Sequence, residues 1–145
     1  MTPPCFIRKN NIQLRNKLEE FGFEKNPYVN DIDNEKKFLC VFPNKQHNYV
    51  SYLTGNKCVE TIPKIIDCGY NEDLFLAIAA LNNNKSDKYK WFICKEEYIS
   101  SSTLELVKVG TWQLNTQHDK LSYSLKRLWK KATLKEILEH FNYKK

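Results

Sequence analysis

Lys64-Ile65-Ile66-Asp67-Cys68-Gly69-Tyr70-Asn71-Glu72-Asp73-Leu74-Phe75-Leu76-Ala77-Ile78-Ala79-Ala80-Leu81 reads as a short strand, a tight glycine turn and the most apolar helix of the chain. Asn71 opens the helix as a cap, and Glu72 and Asp73 sit in its first turn, where negative charge suits the helix dipole. Leu74, Phe75, Ala77, Ile78 and Leu81 cover more than one face, so this helix belongs in the core, packed on a sheet. Asn82-Asn83-Asn84 ends it, residues 82–87 are rich in turn formers, and a strand is expected over Tyr89–Lys95, around Trp91-Phe92-Ile93-Cys94.

Upstream, residues 1–9 read as a loose N-terminal tail. Asn10 or Asn11 caps a helix running to about Phe21, with Ile12, Leu14, Leu18 and Phe21 as its apolar face and Gly22 as its stop. Phe23–Lys37 is loop-like. Phe38–Phe42 is a fully apolar strand ended by Pro43-Asn44, and His47–Leu53 is its partner in a hairpin. Gly55-Asn56 turns the chain into a further strand at Cys58–Ile62, which Pro63 separates from the central unit.

Downstream, Leu104, Leu106, Val107 and Val109 alternate with Glu105 and Lys108 well enough to predict a strand over Thr103–Trp112. Leu114–Asp119 is polar loop, and Leu121–Lys131 is readable as strand or helix. Thr133-Leu134-Lys135-Glu136 is a capping-box pattern before a last helix carrying Ile137, Leu138 and Phe141. The elements add up to a single α+β domain over 1–145: a mostly antiparallel sheet of about five strands, one buried central helix and two flanking helices.

A chain of 145 residues with 41% hydrophobic and 28% charged residues has the composition of a globular domain. No apolar run is long enough to span a bilayer, and the N-terminus lacks the apolar core and cleavage site of a signal peptide, so a cytoplasmic protein without membrane partners is expected. Cys5, Cys40, Cys58, Cys68 and Cys94 are odd in number, contain no C-x-x-C pair and lie partly within apolar runs, which suits reduced core thiols. His47, His118 and His140 are scattered, so neither a metal nor a cofactor is expected.

The net charge of +6 is confined to the end of the chain: Lys120 to Lys145 contains eight basic and two acidic residues, and residues 1–119 are neutral overall. Within that segment Lys126, Arg127, Lys130 and Lys131 precede the Thr133 cap. Free helix N–H groups, a hydroxyl and several cations are thus placed to converge on one anion. Tyr123 and Trp129 lie among them as stacking platforms for a base; the other reading is a solvated basic face with Trp129 in the core. Lys88 and Lys90, flanking Trp91, would extend that surface, while Trp91, Phe92, Tyr98 and Trp112 suit core or interface better than a ligand platform. Asp67-Cys68-Gly69 at a strand end is where an α/β enzyme holds a nucleophile, yet no histidine lies near in sequence and no nucleophile elbow is present.

The run Ile66-Asp67-Cys68-Gly69-x-Asn71-Glu72-x-Leu74-Phe75 on to Leu81, with Trp91-Phe92-Ile93-Cys94 and Lys131-Ala132-Thr133 further on, resembles small uncharacterised proteins of gut Bacteroidota and their phages. The resemblance covers roughly the second half of the chain and carries no functional residue across. It implies a phage or prophage setting, in the host bacterial cytoplasm, where small accessory proteins bind host or signalling molecules. Together with the basic tail, it gives the expectation of a non-enzymatic counter-defence protein. Its anionic partner would be a phosphorylated nucleotide signal, a nucleic acid or a host protein complex that bears one. Two alternatives stand beside it: a virion or assembly component, homo-oligomeric and using its aromatics as an interface, and a small hydrolase or transferase acting near Asp67.

Overall fold

The computed structural model of the protein describes residues 3–25, 37–44, 49–55, 64–82, 89–101, 103–115 and 123–141. The strand expected at Cys58–Ile62, most of the Phe23–Lys37 loop, the turn after Asn82 and the loop approaching Asp119 lie outside the described residues. In chain order the elements are β1 (Cys5–Ile7), α1 (Ile12–Glu20), β2 (Glu24–Lys25), β3 (Phe38–Asn44), β4 (Tyr49–Gly55), β5 (Ile66–Asp67) and α2 (Glu72–Asn82). They continue with β6 (Trp91–Cys94), β7 (Tyr98–Ile99), β8 (Leu106–Val107), β9 (Trp112–Leu114), α3 (Tyr123–Lys126), β10 (Trp129–Lys131) and α4 (Leu134–His140).

The class is α+β, as expected, but the strands are shared among three sheets instead of lying in one of about five. The largest has the order β2-β4-β3-β1-β5, and β10-β6-β9 and β7-β8 form the others. The N-terminal segment is not a tail. Cys5, Phe6 and Ile7 are 0%, 2% and 0% exposed, and β1 runs antiparallel to β3 and parallel to β5 inside the largest sheet. Three apolar residues in a row are too short a signal to announce a strand, but burial on both faces is where such a run is most stable. The parallel ladder is closed by backbone bonds from Ile66 N to Pro4 O, Cys68 N to Phe6 O and Arg8 N to Gly69 O, of 2.9, 2.8 and 2.7 Å.

The hairpin forms as read, with β3 and β4 antiparallel from Phe38↔Gly55 to Asn44↔Tyr49 and Pro43 inside the strand rather than past its end. α1 is capped by Asn11, whose Oδ1 accepts from Leu14 N at 2.9 Å. It buries Leu14 and Leu18 but leaves Ile12 in solvent. α2 is capped by Asn71 in the same way, at 3.1 Å. Its Leu74, Phe75, Ala77, Ile78, Ala79 and Ala80 are buried in the main core with Ile7, Leu39 and Val41, while Leu76 and Leu81 are half-buried at its margin. Phe75 and Ile78 are fully enclosed, and each contributes about 1.5–3 kcal/mol by transfer from water.

On the far face of the same sheet Phe6, Phe38 and Cys40 form a small second cluster, with the Arg8 guanidinium lying over the Phe6 and Phe38 rings at 5.5 and 5.1 Å. The β10-β6-β9 sheet also has two faces. Ile93 and Ala132 join the main core, and Phe92, Cys94 and Trp129 build a third cluster roofed by Tyr98 and Val107 of the β7-β8 ribbon. The single strand expected over Thr103–Trp112 is instead two short strands, β8 and β9, separated by a turn in which Gly110 has φ +92°. The local alternation fits two strands equally well, and the positive φ at Gly110 breaks the pleat between them. Within Leu121–Lys131, the described residues 123–131 take both readings, a helical turn (α3) and then a strand (β10).

Candidate basic edge of the three-stranded sheet

The C-terminal cations lie on and beside β10, which among the described residues is an edge strand paired with β6 alone, in the register Trp129↔Cys94, Lys130↔Ile93, Lys131↔Phe92. Side chains alternate across a strand, so this register decides where each cation goes. Trp129 faces the Phe92–Cys94 cluster and Ala132 the main core, which puts Lys130 on the α4 side and Lys131 on the opposite one. The structure therefore separates two lysines that are adjacent in sequence. Arg127 and Lys131 are exposed, and Lys126 is half-buried in the last turn of α3. The side chain of Tyr123 lies outside the described residues, as do Lys120, Lys144 and Lys145.

Trp129 is 6% exposed. Its Nε1–H donates to the Tyr98 hydroxyl at 3.2 Å and its ring meets the Tyr98 ring edge-on at 6.5 Å between centroids. A ring so placed is core, not a platform for an incoming base. Lys90 is buried as well, so it adds nothing to the basic surface, and Lys88 lies outside the described residues.

The expected anion site at the start of α4 is filled by the chain itself. Thr133 N–H and Oγ1 both donate to Glu136 Oε1 at 3.0 Å, and Thr133 Oγ1 accepts from Glu136 N at 3.2 Å. Lys130 Nζ stands 2.9 Å from Glu136 Oε2. The hydrogen bond from Lys130 is the main reason the Glu136 carboxyl is held below its usual range; burial opposes it and the two Thr133 bonds reinforce it. The groups foreseen as holding a phosphate thus hold a carboxylate six residues on from Lys130. The sequence contained the signal, since the Thr133-x-x-Glu136 capping box already names its own anion. The cations of this edge are spread over two faces, a geometry suited to a chain of charges more than to a single one.

At the other candidate position, Asp67 is engaged by Arg8. The Nη2 group donates to Oδ2 at 2.7 Å and Nε to both oxygens at 3.2 Å, and Gly69 N donates to Oδ1 at 2.9 Å. Burial pushes the Asp67 carboxyl up, but the Arg8 and Gly69 hydrogen bonds outweigh it and the net displacement is downward. Cys68 is buried, and the Cys5 thiol is driven far up by burial and by its hydrogen bond with Cys68, so it stays protonated. Among the described residues no group of three or more His, Cys, Asp or Glu could hold a metal ion, and no helix is long and apolar enough to cross a membrane. No protein-family model, curated protein or solved structure matches the chain.

Proposed function

We propose that this protein is a non-enzymatic accessory protein that binds a polyanionic partner, nucleic acid or a complex bearing it, along the basic edge formed by Lys126, Arg127, Lys130 and Lys131. The observation that carries the reading is that the whole net charge of +6 falls within residues 120–145. The described part of that segment places exposed Arg127, Lys130 and Lys131 at a sheet edge. Cations on both sides of one edge suit successive backbone phosphates, and the self-capped start of α4 argues against a single phosphate held there. The phage or prophage setting, the bacterial cytoplasm and a counter-defence role are part of the proposal, and rest on the resemblance of residues 66–81, 91–94 and 131–133.

Fluorescence anisotropy of a labelled 20-nucleotide single strand, titrated at 50 and 200 mM salt, tests it. Three engaged cations predict a slope of log K against log[salt] of about −2. Replacing Arg127, Lys130 and Lys131 together by Ala is expected to weaken binding more than about tenfold and to flatten that slope. Unchanged affinity in the triple variant overturns the reading. A protein-interaction role is the second reading, favoured by the apolar side chains on and beside the β7-β8 ribbon: Ile99, Leu104, Leu106 and Val109 are 68%, 80%, 51% and 62% exposed. A stable homo-oligomer with no affinity for the oligonucleotide would select it.

A further inference from the structure

A half-open cavity of about 290 Å³ lies between the C-terminal turn of α1, one side of α2 and the β6-β9 pair, and its lining includes none of the residues assigned to the basic edge. Leu76 and Ala77 of α2, Trp91 and Leu114 of the β6-β9 pair, and the rings of Phe21 and Tyr89 line it. Lys17 and Asp73 bring opposite charges to its lining, with the Lys17 ammonium 3.6 Å from the Glu20 carboxylate. Its size is at the small end of ligand pockets, enough for one compact planar ring system.

Two features set it apart from a packing defect. Tyr89 has φ +67°, a left-handed backbone that a bulky aromatic residue adopts only at a cost, and there its ring stacks on Phe21 at 4.5 Å with 14° between planes. The strained residue thus brings an aromatic ring to the lining. Ala77, in turn, contributes only a methyl group there, where the neighbouring Leu74, Phe75 and Ile78 of α2 are large. Flat aromatic surface, a carboxylate that accepts and an ammonium that donates together specify a planar heterocycle with donors and an acceptor on one edge.

We propose that this cavity binds a purine of the lactam type, a guanine or hypoxanthine ring. The ring stacks against the lining aromatics, its N1–H (with the 2-amino group, in guanine) donates to Asp73, and its O6 accepts from Lys17, which turns to it from Glu20. The site is independent of the basic edge, because it reads the base and needs no phosphate.

The test uses guanosine, which carries no phosphate and so does not report on the basic edge. Saturation-transfer NMR and tryptophan fluorescence are followed as guanosine, adenosine or cytidine is added to the full chain. Saturable guanosine binding is expected with a Kd of about 10–500 µM, the range for a ligand of some twenty heavy atoms. Adenosine and cytidine bind at least about fivefold more weakly. Asp73→Ala, at an exposed position, weakens guanosine about tenfold or more with an unchanged circular dichroism spectrum. Ala77→Leu adds bulk to the lining and does the same. Absence of saturable guanosine binding overturns the proposal. So does guanosine affinity that survives Asp73→Ala, whether or not Ala77→Leu folds, and equal affinity for adenosine overturns the lactam assignment.

Discussion

Disconnecting Arg8 from Asp67 should loosen β1 from β5 by an amount set by how far the pair is withdrawn from water. The two side chains are 31% and 41% exposed and in contact at 2.7 Å. Fully exposed pairs contribute less than about 1 kcal/mol and breaking buried ones costs about 3–5, so a half-exposed bidentate pair is expected to give a coupling of about 1–2 kcal/mol. That corresponds to a fall in Tm of about 3–8 °C for a domain of this size. The perturbation is a double-mutant cycle of Asp67→Asn and Arg8→Gln. Asn keeps an oxygen for the Gly69 N–H, and Gln keeps part of the stem over Phe6 and Phe38. Urea unfolding followed by circular dichroism gives the four free energies.

The same pair fixes a pH dependence. The Asp67 carboxyl is held below its ordinary value of 3.8 in the folded state, so the unfolded chain binds the proton first. The stabilisation is therefore complete well above pH 3.8 and disappears as the pH falls through the lower folded value. The gap between wild type and Asp67→Asn should be full at pH 7, shrink from about pH 4 downward and be lost once the pH has fallen through the folded value. A coupling below about 0.3 kcal/mol, or a gap that is the same at pH 7 and pH 2, refutes the reasoning.

Thr133→Ala removes the oxygen that receives Glu136 N and the hydroxyl that donates to its carboxylate, and should cost about 1 kcal/mol in urea unfolding, with Thr133→Ser restoring most of it. A loss below about 0.2 kcal/mol would mean the cap is not holding α4. Burial pushes the Cys40 thiol up to about 12, so at pH 8 only about one molecule in ten thousand carries the thiolate. Cys5, Cys68 and Cys94 are buried with it and Cys58 lies outside the described residues. Of the five cysteines at most one should therefore react quickly with a thiol reagent in the native protein, and all five in denaturant; two or more fast thiols would contradict the burial.

What the amino-acid sequence determined by itself was local. α2 is written in its own composition, because a helix apolar around most of its circumference has nowhere to go but the core. Asn11, Asn71 and the Thr133–Glu136 pair identify helix starts because each cap bonds three residues along the chain, within reach of sequence inspection. The β3-β4 hairpin is legible for the same reason, its two runs being neighbours. The tertiary structure alone decided the rest. Cys5-Phe6-Ile7 is too short to declare itself, and it becomes a central strand through partners that arrive at residues 39–41 and 66–67. Arg8 finds Asp67 across 59 positions. The basic run looks convergent when read along the chain, but pleating against β6 sends Lys130 and Lys131 to opposite faces and turns Trp129 into core. A charge count is a property of the sequence. Which charges share a surface is a property of strand register, and register is set by the residues across the sheet, not by those beside it in the chain.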